Sequence, residues 1–189
     1  MGLLPRREQE VAMSSSSGSS PVSTIVVGVI PDQPATVLVK AAELAGQLGA
    51  RIVCAHVDPT RITLRRLEDG TVLASPLDPD QPEETVLEID PHFRQQVAQV
   101  LDPLPVPWSI RPLAGSASTE LALLAEETDA LMIIVGTREA GIRHAFREFF
   151  TGSVAVQLAH RQHRPVLMVP LQPTGLEQPL PWQLDEAEG

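Results

Sequence analysis

Three glycines and a serine stand where they could hold an anion. Gly136 ends the apolar run Leu131–Val135, and Gly152-Ser153 opens a stretch with helical patterning. Main-chain N–H groups bare of a Cβ, gathered at a helix N-terminus, suit a phosphate. Gly136, Gly141, Gly152, Ser153 and Val154 are therefore the candidate cradle, with Arg138 placed to support it. The same loop holds Arg143, His144 and Arg147, a concentration of positive charge in an acidic chain. Either these cations meet phosphate directly, or they pair locally with Glu139 and Glu148.

Other chemistry is weakly supplied. Ser153 is followed by Val154-Ala155-Val156, so the Gly-x-Ser-x-Gly elbow of a hydrolase is missing, and an N-cap or phosphate contact suits it better. The chain has no Gly-x4-Gly-Lys-[Ser/Thr] and no Gly-x-Gly-x-x-Gly. His160, Arg161, His163 and Arg164 gather at a helix end, where cations complement the dipole. No third ligand lies near the two histidines, so no metal site is expected. His56, in an apolar strand end, reads as a core histidine, and unpartnered Cys54 as a buried small residue. For phosphoryl transfer only Asp32 is a candidate metal carboxylate, and no general base has a clear position. Binding rather than turnover is expected, with slow hydrolysis left open.

The elements that must position the loop alternate. Thr24–Ile30 is a β-branched run suited to a strand covered on both faces. Pro34–Leu48 has helical spacing and stops at Gly49. Arg51–Val57 is a second buried strand, and Ile62–Arg66 with Val72–Ser75 flank Asp69-Gly70 as a hairpin. Helix Pro91–Leu101, strand Trp108–Leu113 and helix Ser116–Glu127, opened by Ser-x-x-x-Glu, lead to the glycine region and a last strand, Pro165–Pro170. This order predicts an α/β fold with a parallel sheet wrapped by helices and a small hairpin insertion.

Composition sets the limits. Of 189 residues, 43% are hydrophobic and only 3% aromatic, so the core must be built of Val, Leu, Ile and Ala. A net charge of −10 disfavours nucleic acid as a partner. No segment approaches the roughly 18 apolar residues needed to cross a bilayer, and the N-terminus lacks the apolar stretch of a secretory signal. A cytoplasmic protein is expected. The Ser/Gly run Ser14–Ser20 marks residues 1–22 as a disordered extension, and the acidic, Pro-containing segment 172–189 as a poorly ordered tail. The folded domain is 23–171.

With these residues in place, the chain resembles the universal stress protein family. The resemblance runs from about Thr24 to Pro170. It is carried by Ile25-Val26-Val27-Gly28-Val29, by Ala55-His56-Val57, by Gly152-Ser153-Val154, and by Arg164-Pro165-Val166-Leu167-Met168-Val169-Pro170. It implies a five-stranded, doubly wound parallel sheet of the adenine nucleotide alpha hydrolase-like kind, and a homodimer. It also implies an adenine nucleotide, ATP first with AMP or ADP as alternatives, in the crevice between the first and fourth strands of the alternation. Val29 and Val57 would then line the base, Val57 with backbone atoms. The unpaired strand Val166–Val169 is the natural dimer edge.

The chain departs from the family's Gly-x2-Gly-x9-Gly-[Ser/Thr] pattern. Glu139 stands at the second glycine, with Gly141 nearby, and fifteen residues separate Gly136 from Gly152. Ile30 replaces the acid that follows the first strand, and the first carboxylate is Asp32. A nucleotide-free homodimeric interaction protein of the same fold is the alternative these departures suggest.

Overall fold

In a computed structural model, residues 22–78, 84–137, 153–171 and 173 are described. The strands are β1 (Thr24–Gly28), β2 (Arg51–Asp58), β3 (Arg61–Arg66), β4 (Val72–Pro76), β5 (Thr85–Val86), β6 (Trp108–Ala114), β7 (Ala130–Gly136) and β8 (Val166–Val169). The helices are α1 (Thr36–Leu48), α2 (Pro91–Leu101), α3 (Ala117–Glu127) and α4 (Ser153–Arg161).

The central sheet has five strands in the order β6-β2-β1-β7-β8, and every pairing in it is parallel. All five residues of β1 are buried, as its uninterrupted β-branched sequence requires of a central strand. Alternate side chains feed two apolar layers. Ile25, Val27, Val29, Ile52 and Cys54 pack with α1 and α2, whereas Val26, Val53, Ala55, Val57 and Ile133 pack with α3 and α4. This is the wrapped α/β sheet expected from the sequence. Burial pushes the Cys54 thiol up to about 12, which leaves it an inert core residue.

Local signals account for most boundaries. The left-handed Gly49 ends α1, and Ala50 N–H turns back to Ala45 C=O at 2.9 Å. Asp90 caps α2 by accepting from Phe93 N–H at 3.0 Å, with Pro91 in the first turn. Glu120, by contrast, does not serve the start of α3. Ser116 makes no capping bond, and the Glu120 carboxylate instead pairs with Arg66 of the insertion. Its burial raises the Glu120 pKa, while the Arg66 guanidinium opposes that rise.

The insertion is larger than a hairpin. β3 and β4 turn at Asp69-Gly70, with Gly70 at φ 85°, and the short β5 adds a third antiparallel strand. Its anchors are the Arg66–Glu120 pair, Thr63 Oγ1 donating to Ala114 C=O at 2.8 Å, and the buried side chains Val72 and Ala74. A two-residue strand has too little pattern to be read from sequence.

Candidate functional site

β1 branches to β2 on one side and to β7 on the other, so the direction of chain progression reverses between β1 and β7. A crevice must open where connections leave the sheet in opposite senses, at the carboxyl ends of those strands. The sequence expectation ran β1 to Ile30, but the strand ends at Gly28. Pro31 followed by Asp32 at φ 59° turns the chain away, with proline and a left-handed residue in the order of a type II turn. The Gln33 side chain stabilises that departure, its Oε1 accepting the Ile30 N–H at 3.1 Å.

The departure leaves a cleft of about 290 Å³ between the β1–α1 turn and α2. Val29, Ile30, Pro34, Leu38, Phe93 and Val97 supply its apolar wall. At the rim, Gln96 Nε2 donates to Asp32 Oδ1 at 3.2 Å and ties α2 to the turn. Asp32 is therefore a rim residue, two positions after Ile30. An apolar cleft with one ring in its wall and polar groups on its edge suits a heteroaromatic base.

The end of β2 adds unpaired backbone to this region. Val29 N–H donates to Ala55 C=O at 2.9 Å, so Ala55, and by strand alternation Val57, turn their backbone groups toward β1. The next rung would join Val57 N–H to Val29 C=O. His56 Nδ1 donates to that carbonyl instead, at 3.2 Å, and no bond joins Val57 to Val29. The His56 ring meets Phe93 edge-on, centroids 5.1 Å apart. Burial lowers the His56 pKa, while the Val29 hydrogen bond and nearby Asp58 oppose the shift. At neutral pH the ring is uncharged, with its proton on Nδ1.

Sequence-derived site residues fall into three groups. Val29 lines the cleft. Val57 brings only its backbone toward β1, because its side chain belongs to the opposite layer with Val72 and Leu113. Gly136 is not a sharp turn: it ends β7 in register with Val169 and has no left-handed φ. What distinguishes it is close approach, since a Cβ would lie 3.1 Å from Val37 Cγ2, 3.2 Å from Leu171 Cδ1 and 3.3 Å from Gln33 Nε2, tighter than ordinary contact. Val154 is buried at the start of α4 among the α3-side core. Ser153 begins α4, whose first turn has no acidic residue to oppose an anion. Arg138, Gly141 and Gly152 lie outside the described residues, as do Glu139, Arg143, His144 and Arg147.

Sequence reading missed Gln33, Phe93, Gln96 and Val97. Gln33 comes from the β1–α1 turn and the other three from α2, about sixty residues on, and only the fold makes them neighbours. A signal was present for Phe93, one of only four phenylalanines in the chain, on the inward face of a capped helix. The cations at and just after the end of α4 also have specific partners. Arg164 Nε donates to Ala130 C=O at 2.9 Å, and Arg161 donates to Thr119 Oγ1 at 3.1 Å. Among the described residues no three His, Cys, Asp or Glu side chains group as metal ligands.

A doubly wound α/β sheet with a cleft beside its switch point defines the class. The sequence pattern of the universal stress protein family matches residues 21–170, and the chain belongs to that family. Solved structures agree with the fold. A universal stress protein in complex with cAMP shares 19% identity, covers 81% of this chain and 100% of its own, and superposes with a TM-score of 0.52. The Archaeoglobus fulgidus universal stress protein in complex with dAMP gives 19% identity, coverage of 79% and 99%, and a TM-score of 0.51. Another universal stress protein structure from Archaeoglobus fulgidus gives 20% identity, coverage of 78% and 93%, and a TM-score of 0.50. Among curated proteins, none matches the chain.

Proposed function

We propose that this protein binds an adenine nucleotide and acts in stress responses by binding, not by turnover. The carrying observation is the apolar cleft walled by Val29, Leu38, Phe93 and Val97 beside the β1–β7 switch point. Base and sugar would occupy that end, with the backbone of Val57 offered to the base edge. The phosphates would run toward the α4 N-terminus, where Gly136, Arg138, Gly141, Gly152, Ser153 and Val154 are the candidate contacts. The dAMP and cAMP complexes of relatives with this fold support adenine as the base. ATP is the first ligand to test, with ADP and AMP beside it. A volume of about 290 Å³ is at the small end for ligand sites and holds a base with its sugar more readily than a whole triphosphate.

The test has two arms. Purified protein is denatured and its supernatant chromatographed for carried nucleotide, and ATP, ADP and AMP are titrated by calorimetry. Retained nucleotide or saturable heat supports the reading; neither rejects it. The protein is further proposed to be cytoplasmic and to pair with a second copy through β8. That strand is the sheet edge, and Leu167 and Met168 on it are exposed. Light scattering at micromolar concentration should give twice the mass of one chain.

A second reading, a nucleotide-free dimeric interaction protein, draws on one specific observation. Val37, Leu171 and Gln33 already crowd the space over Gly136. An empty titration with an intact dimer would favour it.

A further inference from the structure

We infer that Gln33 reads the sugar of the bound nucleotide, its free Nε2 donating to a ribose oxygen beside Gly136. The inference rests on the adenine nucleotide reading above. It starts from an imbalance in one side chain. Gln33 Oε1 is held by the Ile30 N–H at 3.1 Å, which fixes the plane and direction of the carboxamide. Its Nε2, fully withdrawn from solvent, has no hydrogen-bond partner among the described residues. A buried amide donor without an acceptor costs free energy, and folded proteins rarely leave one.

Place and chemistry identify the missing acceptor. Gln33 lines the cleft, and its Nε2 lies 3.3 Å from where a Gly136 Cβ would stand. It therefore spans the base end of the crevice and the strand that leads to the glycine loop. The part of a nucleotide joining base to phosphate is the ribose. A phosphate oxygen would be repelled by the Asp32 carboxylate on the neighbouring rim, and this donor is a neutral amide that brings no charge to offset that repulsion. A neutral hydroxyl or ring oxygen matches both facts. The glycine at position 136 then has a second use: it leaves room for the carboxamide that a larger residue would displace.

The experiment compares adenine, adenosine and AMP on the full chain, by ligand-observed NMR with calorimetry where affinity permits. Gln33→Met keeps side-chain length and removes the donor. Adenosine and AMP should each weaken about tenfold, with adenine unchanged, as expected for one lost hydrogen bond to a buried group. Unchanged adenosine overturns the inference, as does weakening of AMP alone, which would indicate a phosphate contact. Equal weakening of all three also overturns it, because that is collapse of the cleft. Gln33→Ala, which opens space where Met fills it, is read by the same three ligands should the Met variant not fold. Wild-type protein that binds none of them removes the nucleotide reading itself, whereas wild-type binding with a flat Gln33 profile removes only the role of Gln33.

Discussion

β1 ends differently on its two flanks. Toward β2, the ladder stops after Val29 N–H reaches Ala55 C=O, and His56 takes the next carbonyl. On the β7 side, β1 pairing ends at Val27–Ile134, but β7 and β8 go on bonding past their own strand ends. Thr137 N–H donates to Val169 C=O at 2.8 Å, Leu171 N–H donates to Thr137 Oγ1 at 3.0 Å, and Leu171 covers Gly136. One flank keeps unspent polar backbone beside an apolar slot, and the other is closed by bonds and methyl groups. The contrast teaches that the half of the crevice proposed for the base is preformed in the described residues. On the β7 side, a ligand must pass over Gly136 or displace what covers it.

The strongest way to break this contrast is to remove the ring that walls the open flank. Phe93 is almost fully buried, lines the cleft and packs on His56. Phe93→Ala should destabilise the fold by about 3 kcal/mol, the lower end for such truncations because the cleft already leaves one side unpacked. Urea denaturation gives the value. Adenine nucleotide binding should be lost with it, while Phe93→Leu should recover stability more than affinity. If Phe93→Ala bound nucleotide normally, the base would have to lie elsewhere.

The closed flank is tested at Gly136. A Val side chain there would strike Val37, Leu171 and Gln33 together. Gly136→Val should cost about 1–3 kcal/mol in the same assay. Gly46 is the natural control, because an added Cβ would meet only Val106 Cγ2, at 3.9 Å, on an exposed helical position. Gly46→Ala should stabilise by about 0.5–1 kcal/mol. Equal effects at the two glycines would show that the β7 flank is not packed as described.

How much of this was legible beforehand depends on distance along the chain. β1, the Gly49 stop and the Asp90-Pro91 start of α2 are written in adjacent residues, and all were readable. The family resemblance named Val29, Val57 and Gly136 together; the structure puts Val29 in the cleft wall, Val57 near the end of β2 and Gly136 at the end of β7. The resemblance could not show that Val57 turns its side chain to the opposite layer, because that depends on strand parity relative to β1. Nor could it show that Gln33, three residues beyond a poor family match at Ile30, would cap the end of β1. A side chain bonding its own backbone leaves no periodic trace. Phe93 and His56 meet only after α2 docks, and no local pattern pairs them.

Acidity offers a subtler separation of the flanks, through His56. Its folded pKa lies below the ordinary 6.5, so the native state prefers the neutral ring. Its contribution to stability is complete above about pH 6.5 and is lost as pH falls from there through the depressed folded value. Denaturation midpoints measured downward from pH 7 should decline for the wild type, and less steeply for His56→Gln. Glu120 acts in the opposite sense. Its raised pKa means that its burial weighs against the fold once ionised, and that this cost is relieved as pH falls through the carboxylate range. Glu120→Gln separates the two contributions, because it should leave the His56 slope unchanged.

The smallest effect is expected at Asp32, and it separates fold from site most cleanly. Its φ of 59° is a left-handed conformation that an L side chain adopts at a cost and glycine adopts freely. Asp32→Gly therefore relieves strain in the folded chain, but it enlarges the conformational freedom of the unfolded one and removes the exposed bond to Gln96. These terms oppose one another, so the net change should stay within about 0.5 kcal/mol, the ordinary range for surface substitutions. The ligand effect should be larger than the stability effect, because Asp32 and Gln96 close the rim over the slot. A variant with an unchanged midpoint and weaker AMP binding would establish the rim as part of the site. A variant with both unchanged would leave Asp32 as a turn residue only, and would confine recognition to the apolar wall and Gln33.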